Sequence, residues 1–553
     1  MARFQPPRTL AAVVGLTVTL AFPCLGQCRA DAAEDGRMRY AFTITVADTA
    51  TVLHVILSFR GNATGVDELK LPSHWAGQTI AAMSNLRPLS SGTTISERAA
   101  ADRRALRYLP NQRVVVAYDI RKDWQGPLVP PMQFHPVIMP QYLEINGDNG
   151  LVFPAMADEA PAAVDFDWRG LPPTWTLATS FGTSVDVADR CQSYVGPWTA
   201  VHGALFAAGD FRIHRFQIGG QSAAFAVRGE WVFSDADAIT QIQKAVSVVR
   251  DFWHENSIPY FLVTLKPYDA GGSSDGSGFT NAFWLYLAPR DSLATHLTLL
   301  SHEAFHGWNV RRMGPLSDAE DAVIGWFHEG FTEYYADLLL YRAHLLPLAR
   351  YLENVNRDLR RFPVSSNPYV RGRVIALWLD SQIRGLSNDS LSLDNLMFDM
   401  VRGAAAPLTQ ARILETAARY LSPVARAELA RMVQSTGAEP TELSHALAPC
   451  ITVMIDSVPT FDIGFDLPAS RAAKRVIGVA QSSAAYKAGL RDGQAIFGMS
   501  VFNDQPDRMA RITVQGDTSR TTVAYLPRGR SISVPQLHVR EAAYASNPGA
   551  CHA

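Results

Sequence analysis

Residues 302 to 306 read His-Glu-Ala-Phe-His, a spacing that can bind a metal ion. On a helix, residues four apart lie on one face, so His302 and His306 can present their imidazoles to the same ion. Glu303 lies beside that face, within reach of a water on the ion. Zinc lowers the pKa of such a water towards neutrality, and a carboxylate can take its proton during attack on a carbonyl. The motif predicts metal-dependent hydrolysis.

A catalytic zinc ion takes three protein ligands and keeps one position open. Glu329 lies on the next predicted helix, in the string Gly-Trp-Phe-His-Glu-Gly-Phe. An antiparallel pair of helices would bring Glu329 back to His302 and His306. A carboxylate in such an aromatic-rich helix is costly unless it is paired or bound to a metal. We therefore expect one zinc ion per chain, bound by these three residues.

Two neighbours of Glu329 each allow more than one interpretation. His328 points about 100° away around a helix, which favours a surface or core residue over a ligand. Glu333 lies one turn after Glu329 and could accept a hydrogen bond from the free nitrogen of a ligand histidine, fixing its tautomer. A solvated helix carboxylate explains Glu333 equally well.

The chain that must position these residues divides into three regions with different sequence patterns. Up to about residue 232 the signals favour an all-β domain of sandwich type, because apolar and polar residues alternate between turn residues. Such strand patterns cover 40–46, 51–59, 113–118 and 211–218.

From Ser234, a helix-capping residue, the pattern becomes helical. The later helices are predicted over 293–308, 322–346 and 370–384, and the strands over 260–265 and 283–287, with a glycine-rich loop at 270–278 between the strands. From residue 451 short strands return, with one helical piece at 484–488. We predict a multidomain α+β protein with a signal peptide and three domains, over 1–32, 38–232, 233–448 and 451–543.

Composition excludes some classes of function. The chain has 553 residues, of which 47% are hydrophobic, and a formal net charge of −2. This is typical of a globular protein. No cluster of Lys and Arg forms a phosphate-binding stripe, so we expect no nucleic-acid partner.

The N-terminus is predicted to be a signal peptide, over 1–32. Arg3 and Arg8 supply positive charge, and an apolar run from Leu10 to Phe22 comes next, which is short for a bilayer span. An uncleaved anchor is the alternative, and a lipid on Cys28 fits less well because a glutamine precedes it. No later run is typical of a transmembrane helix. We expect an exported protein, periplasmic or secreted, with no integral membrane segment in the mature chain.

Three cysteines remain after the signal peptide: Cys191, Cys450 and Cys551. The last two bracket the C-terminal domain, so a disulfide between them is plausible in an oxidising compartment. Three unpaired thiols are the alternative. None of the three has the spacing of a thiolate metal site.

Longer strings around the motif carry a family resemblance. They read HEAFHGWNVRR at 302–312, WFHEGFTEYYADLLL at 326–340 and PYVRGRVIALWLDSQIR at 368–384. With SLDNLM at 392–397, they make the chain resemble the glycyl aminopeptidase family of zinc metallopeptidases, within the gluzincin group. The resemblance implies an N-terminal β domain, a mainly helical, thermolysin-like catalytic domain and a C-terminal PDZ-like domain.

The resemblance also implies a role for Tyr369. In related gluzincins a tyrosine in a Tyr-x-Lys-Gly string donates a hydrogen bond to the developing oxyanion. Tyr369 occupies that position here, with Arg371 in place of the lysine. The alternative is an aromatic residue that packs at a helix cap.

One departure from the family concerns the substrate's ammonium group. Relatives hold it with a glutamate in a glycine-rich loop before the zinc helix. The corresponding loop here has Gly271 and Gly272 but no glutamate, and Asp275 is the one acidic residue available. We expect a peptide to pair with the strand over 279–287. The resemblance favours an aminopeptidase for small N-terminal residues, and an endopeptidase is the alternative.

The C-terminal domain has a predicted peptide-binding loop. Ile463, Gly464 and Phe465 resemble the carboxylate-binding loop of PDZ domains, where backbone N–H groups hold a peptide C-terminus. A purely structural domain is an equal alternative. A different class of function, a PDZ-mediated peptide-binding protein with a vestigial zinc site, is disfavoured by the intact His302, Glu303, His306 and Glu329.

Overall fold

The structure is a computed structural model. It describes residues 36–47, 51–97, 100, 102–155, 161–256, 258, 260–269, 274–435, 443, 450–516 and 519–546. The predicted signal peptide, Gly271, Gly272 and Cys551 lie outside these ranges. Within them, no helix combines the length and the apolar character that crossing a membrane requires.

The chain divides into two compact units. The first comprises residues up to 214 together with 226–228 and 269–272, and the second comprises the remaining residues. The predicted strand-rich N-terminal region and the predicted helical middle are both present, and the fold is mixed α+β. The exact boundaries of the three domains stay predictions.

The N-terminal region is built from short strands. They are β1 (Met38–Thr45), β2 (Val52–Arg60), β3 (Val66–Lys70), β4 (His74–Trp75), β5 (Gln78–Thr79), β6 (Met83–Pro88), β7 (Thr94–Glu97), β8 (Arg103–Arg107), β9 (Arg113–Ile120), β10 (Val137–Ile138), β11 (Tyr142–Asn146), β12 (Phe153–Pro154), β13 (Ala162–Gly170), β14 (Thr176–Thr179), β15 (Gly182–Ser184), β16 (Cys191–Gly196) and β17 (Leu205–Gly209). The short helices α1 (Gly147–Gly150) and α2 (Trp198–His202) interrupt them.

These strands form three larger sheets, in the orders β16-β13-β1-β2-β9-β6, β10-β11-β17-β14-β15 and β12-β3-β8-β7. In β1 and β2, alternate residues such as Tyr40, Phe42, Leu53 and Val55 are buried in one core. Because side chains alternate along a strand, their neighbours face the other side of the sheet. The alternation seen in the sequence therefore has the expected physical cause.

A further five-stranded sheet precedes the metal-binding helices. It runs β18-β19-β20-β22-β21, with β18 (Arg212–Ile218), β19 (Gln221–Val227), β20 (Tyr260–Pro267), β21 (Asp275–Phe279) and β22 (Ala282–Leu287). The predicted peptide-pairing strand over 279–287 is wrong, because β22 is an inner strand with neighbours on both sides. Asn281, at φ 50°, lies in the turn that reverses the chain between β21 and β22. Strand β21, which was predicted to be loop, is the last strand of this sheet among the described residues.

The middle of the chain is mostly helical. Its helices are α3 (Asp235–Trp253), α4 (Leu297–Phe305), α5 (Asp318–Val323), α6 (Gly325–Arg342), α7 (Leu348–Arg361), α8 (Pro368–Ser387), α9 (Leu393–Arg402), α10 (Gln410–Ala418) and α11 (Pro423–Gln434). Ser234 caps α3 as predicted, accepting a hydrogen bond from the backbone N–H of Asp237. The helix predicted over 322–346 is present as α6, but it begins at Gly325, after the separate short helix α5, and it ends at Arg342.

Helices α6 and α8 approach each other closely at two glycines. A Cβ on Gly330 would lie 2.1 Å from the Cα of Gly372, and a Cβ on Gly372 would lie 1.7 Å from the carbonyl oxygen of Trp326. Only a residue without a side chain fits at such a contact. The two glycines therefore set how near α8 comes to the helix that carries Glu329.

The C-terminal region comprises β23 (Ile451–Phe461), α12 (Leu467–Ala473), α13 (Ala484–Lys487), β24 (Ile496–Ser500), β25 (Ala510–Gln515), β26 (Arg520–Tyr525), β27 (Arg528–Val539) and α14 (Glu541–Ser546). Strand β23 pairs with β27, and β24, β25 and β26 form a second sheet. Helix α7 contacts this region through Asn356, whose side chain donates to the carbonyl of Leu537 (2.9 Å) and accepts from its N–H (2.7 Å).

The described cysteines are oxidised. Cys191 and Cys450 are each disulfide-bonded. The alternative of unpaired thiols is therefore wrong for these two residues. The pairing of Cys450 with Cys551 stays a prediction, because Cys551 lies outside the described ranges.

Candidate metal centre

The three predicted ligands lie together. The Nε2 atoms of His302 and His306 are 3.1 Å apart, and an oxygen of Glu329 lies 3.4 Å from the first and 3.5 Å from the second. These ligand atoms all lie within 4.8 Å of one another, and both imidazoles are buried. His302 lies in α4, His306 is the residue at the C-terminal cap of that helix, and Glu329 comes from the second turn of α6.

Two buried carboxylate oxygens indicate that this cluster fits a cation. One oxygen each of Glu303 and Glu329 is buried and has no hydrogen-bond partner among the described residues. Buried polar atoms are normally paired, so such atoms need an explanation. Two imidazole nitrogens and a carboxylate oxygen directed at one point are a ligand set that zinc accepts. The donor set and the unpaired oxygens both agree with a zinc ion.

Glu333 orients one of these imidazoles. Its carboxylate lies 2.9 Å from Nδ1 of His302. A proton on Nδ1 leaves the Nε2 lone pair free for a metal, which is the usual arrangement around metal-bound histidines. Burial raises the pKa of Glu333, but the charge of Arg373 and the hydrogen bond to His302 outweigh it, and the pKa falls to about 2. The alternative of a solvated carboxylate is wrong.

The second imidazole has neighbours that the sequence did not predict. Nδ1 of His306 lies 3.5 Å from the hydroxyl oxygen of Thr332, which also accepts a hydrogen bond from Asn309. The ring of His328 lies 4.9 Å from that of His306, edge to face. This ring contact places His328 beside the cluster, and Nδ1 of His328 lies 2.7 Å from a carboxylate oxygen of Asp321.

Glu303 is buried beside the ligands. Burial raises the pKa of Glu303 to about 8, and the negative charges of Glu329 and Asp275 act in the same direction. A divalent cation at this point would favour ionised carboxylates and neutral imidazoles. The carboxyl group is therefore placed where a bound cation would convert it into a base.

The edge strand β21 passes directly over α4. A Cβ on Gly276 would lie 2.5 Å from a carboxylate oxygen of Glu303, and a Cβ on Gly278 would lie 2.8 Å from the Cβ of His306. Asp275 begins this strand, and its side chain accepts a hydrogen bond from the N–H of Gly276. The glycines that predicted a loop instead let a strand approach the metal-binding helix.

Tyr369 lies in the first turn of α8. Asn367 caps this helix by accepting hydrogen bonds from the backbone N–H groups of Tyr369 and Val370. The phenol ring stacks on the imidazole of His302 at 5.8 Å, and the residue is 41% exposed. Partial burial raises the pKa of Tyr369, and the charge of Glu329 raises it further, so the phenol keeps its proton.

Arg371, which replaces the family's lysine, points away from the cluster. Its guanidinium donates hydrogen bonds to the carbonyl of Met432 in the last turn of α11 and to that of Ser435, just after the helix, and it lies over the ring of Phe362. These contacts give Arg371 a structural role, which explains how the lysine can be replaced.

The predicted peptide-binding loop of the C-terminal region is largely internal. Ile463 and Phe465 are buried in a local core. Gly464, at φ 82°, donates its N–H to a carboxylate oxygen of Asp462 at 2.8 Å. A Cβ on Gly464 would lie 2.6 Å from the side chain of Ser483. The glycine is needed for this close contact.

Comparison with known families concerns the same segment of the chain. Residues 295–372 match the model of the M61 glycyl aminopeptidase family. This range contains His302, Glu303, His306, Glu329 and Tyr369. The chain is a zinc metallopeptidase. The predicted resemblance to the glycyl aminopeptidase family is confirmed. A search of the curated proteins finds no match for the peptidase.

Solved structures share the fold of the peptidase. The aminopeptidase N family protein from Idiomarina loihiensis is 17% identical, with a TM-score of 0.66 over 91% of this chain and 98% of its own. A variant of the M1 zinc metallopeptidase from Deinococcus radiodurans, bound to a Tyr-Ser-Ala substrate, is 14% identical, with a TM-score of 0.50 over 76% of this chain and 98% of its own. At these identities the likeness concerns the fold.

Proposed function

We propose that the peptidase is an aminopeptidase that removes small N-terminal residues, with one zinc ion per chain held by His302, His306 and Glu329. The observation that carries the proposal is the unpaired, buried oxygen of Glu303 beside three converging ligand atoms. A zinc ion there would polarise the scissile carbonyl and acidify the attacking water.

Glu303 and Tyr369 then have complementary roles. Glu303 takes the proton from the attacking water and delivers it to the leaving nitrogen. Tyr369, which keeps its proton, donates a hydrogen bond to the carbonyl oxygen as negative charge develops there. Glu333 holds the Nδ1 proton of His302 throughout the reaction.

Asp275 is the residue that we propose for binding the substrate's ammonium group. Its charge raises the pKa of Glu303, so it lies near the reacting groups, and it begins the edge strand β21. A peptide would lie along this edge strand rather than along the inner strand first predicted, although the carbonyl of Gly278 already accepts a hydrogen bond from Arg311. Gly271 and Gly272 precede this edge in sequence and remain predicted substrate-binding residues.

The experiment that tests the catalytic proposal is the Glu303→Gln substitution. We expect zinc content to remain near one per chain, while kcat for peptide hydrolysis falls by about 10²- to 10⁴-fold, because the general base is lost. Glu353→Gln, an exposed carboxylate on α7, is the matched control and should leave kcat unchanged. Full turnover by the Glu303→Gln variant would exclude Glu303 as the base.

A second experiment separates aminopeptidase from endopeptidase action. Peptides with a free N-terminus should be cleaved, whereas the same peptides after N-acetylation should not. Asp275→Asn should raise KM for the free peptides by about tenfold, which corresponds to roughly 1.4 kcal/mol. Equal cleavage of free and acetylated peptides would favour the endopeptidase alternative.

We also propose that the peptidase is exported, to the periplasm or beyond. The predicted signal peptide over 1–32 and the two disulfide-bonded cysteines support this location. N-terminal sequencing of protein recovered outside the cytoplasm should begin after residue 32.

For the C-terminal region we propose a PDZ-like fold with a structural role. The internal hydrogen bond from Gly464 to Asp462 supports this role over the capture of a peptide C-terminus. Binding of a C-terminal peptide to the peptidase, lost on Gly464→Ala, would favour the alternative instead.

A further inference from the structure

Three pairs of residues, which we call the ladder, connect α4 and its C-terminal cap to α6. Positions 298 and 302 of α4, and position 306 at its C-terminal cap, face positions 337, 333 and 329 of α6. The hydroxyl of Thr298 donates to Asp337 at 2.8 Å, Nδ1 of His302 meets Glu333 at 2.9 Å, and Nε2 of His306 lies 3.5 Å from Glu329. Residues four apart share a helix face, so two antiparallel helices bring these side chains together in order.

This ladder places Glu333 and Asp337 one turn apart in the interior. Carboxylates at this spacing repel each other, and burial increases the cost. Nothing on α4 compensates this charge, because Thr298 is neutral and His302 must offer a neutral imidazole to a metal. A cation from another element is therefore required.

Arg373 on α8 supplies that cation. It is 1% exposed, and its guanidinium lies 2.5 Å from Glu333 and 3.1 Å from Asp337. It also donates to the backbone carbonyl of Glu333 at 3.2 Å. The close contact between the glycines of α6 and α8 lies just before Arg373 in the chain, which explains how the guanidinium reaches between the two helices.

Helix α7 contributes two further residues to the cluster around the guanidinium of Arg373. Asp358 lies 3.4 Å from Nε of Arg373, and Asn354 donates a hydrogen bond to Asp337 at 2.9 Å. Asp358 also contacts Arg361 at 3.4 Å and Arg357 at 3.7 Å. The charge of Asp358 is thus shared with two half-buried arginines, and Arg373 remains available for the two carboxylates of the ladder.

We propose that Arg373 is a positioning residue of the zinc site: by binding both Glu333 and Asp337 it holds Glu333 in the orientation that fixes the tautomer of His302. Arg373 touches neither the proposed metal nor the substrate. Its planar, forked guanidinium can bind several oxygens in fixed directions, which a lysine cannot do. The inference rests on the proposed zinc site and adds a residue to it.

The test is the affinity of the purified full-length chain for zinc alone, measured by competition with a chromophoric chelator. We expect Arg373→Met to raise the Kd for zinc by about 10-fold, the lower end of the effect of losing a partner of a metal ligand, because Arg373 acts through the partner Glu333. Arg373→Lys should raise it less, because the charge remains. Arg384→Met is the matched control on the same helix: Arg384 pairs with Asp380, away from the cluster, and its loss should leave the Kd unchanged.

A double-mutant cycle distinguishes positioning from general destabilisation. In a Glu333→Gln background, Arg373→Lys should change the Kd for zinc by less than about threefold. The reason is that the carboxylate through which Arg373 acts on His302 is already absent from this background. An unchanged Kd in both single variants of Arg373 would overturn the proposal, as would an equal loss with and without Glu333. If the Arg373→Met variant does not fold, the Arg373→Lys variant and this double-mutant cycle still test the proposal. Failure of the unsubstituted chain to bind zinc would instead refute the proposed function.

Discussion

A histidine held by a carboxylate occurs both on the N-terminal sheet and in the metal centre, and these two clusters differ in one respect. On the N-terminal sheet, His54 of β2 lies 2.9 Å from the hydroxyl of Thr45 and 2.7 Å from Asp119, and Asn85 donates to the other oxygen of Asp119. In the metal centre, His302 meets Glu333 at a similar distance.

The difference lies in which atoms are left without partners. Both ring nitrogens of His54 and both oxygens of Asp119 are hydrogen-bonded, and the His54 side chain is 39% exposed. In the metal centre, buried oxygens of Glu303 and Glu329 have no hydrogen-bond partner among the described residues. A short His–carboxylate distance is therefore common to a structural cluster and a functional one. The functional cluster differs from the structural one in having buried carboxylate oxygens without a hydrogen-bond partner among the described residues.

The largest expected effect is that of the metal. A chelator should abolish hydrolysis, and zinc at about 1,000 times its Kd should raise the free energy of unfolding of the chain by about 4 kcal/mol. Urea denaturation with and without zinc measures this. The same increase should be seen in His54→Gln and should be lost in Glu329→Gln. An undiminished zinc effect in Glu329→Gln would break the comparison, since the unpaired oxygen would then have no role.

The next effect concerns the helix contact behind the metal centre. Gly372→Ala would place a methyl group 1.7 Å from the backbone oxygen of Trp326, so we expect a loss of about 3 kcal/mol in unfolding free energy and weaker zinc binding. Gly325→Ala is the control, because its new methyl would meet Pro368 at an ordinary 3.5 Å. Similar stability of the two variants in thermal denaturation would contradict the close contact.

A smaller effect is expected at the pair Thr298 and Asp337, which lies at the end of the ladder away from the metal ligands. Thr298→Val removes the hydroxyl that donates to Asp337 but keeps the shape of the side chain. The free energy of unfolding should fall by about 1–2 kcal/mol, because a buried carboxylate loses a partner. Asp337 keeps Asn354 and Arg373, so kcat should change little. Chemical denaturation and steady-state kinetics together check this, and a loss of activity as large as that of Glu303→Gln would contradict it.

The smallest effect is expected on the N-terminal sheet. Burial raises the pKa of Asp119, but hydrogen bonds from Asn85 and His54 outweigh burial and lower it. A depressed carboxyl pKa stabilises the fold above the unfolded value of about 3.9 and ceases to do so as the pH falls below it. Asp119→Asn should therefore cost about 0.5–1 kcal/mol at pH 7 and nothing measurable near pH 2. Peptidase activity at pH 7 should be unchanged; a large loss would make this cluster functional.

Much of the metal centre could be predicted because its spacing is local. The pair His302 and His306 needs only one helical segment, and the three ligands and the base lie within a stretch of 28 residues, from His302 to Glu329. Periodicity likewise predicted β1, β2 and α3 to within about two residues, since alternate burial and helical spacing are properties of short segments.

The edge strand shows why other features could not be predicted. Glycines at 276 and 278 are typical of loops, yet here they form a strand, because only glycine fits between this strand and α4. That reason exists only once the helix is in place. The same is true of His328, whose ring lies beside that of His306 only because α6 packs against α4.

The amino-acid sequence by itself determined the chemistry of this protein: two imidazoles, a base and a third ligand at spacings that one pair of helices can bring together. Only the tertiary structure decided what holds them. Arg373 comes from a third helix and Asp358 from a fourth, so their contact with the ladder depends on how the helices pack. Local spacing can place residues on one face, but charge neutralisation in an interior is decided by whichever distant element packs against it.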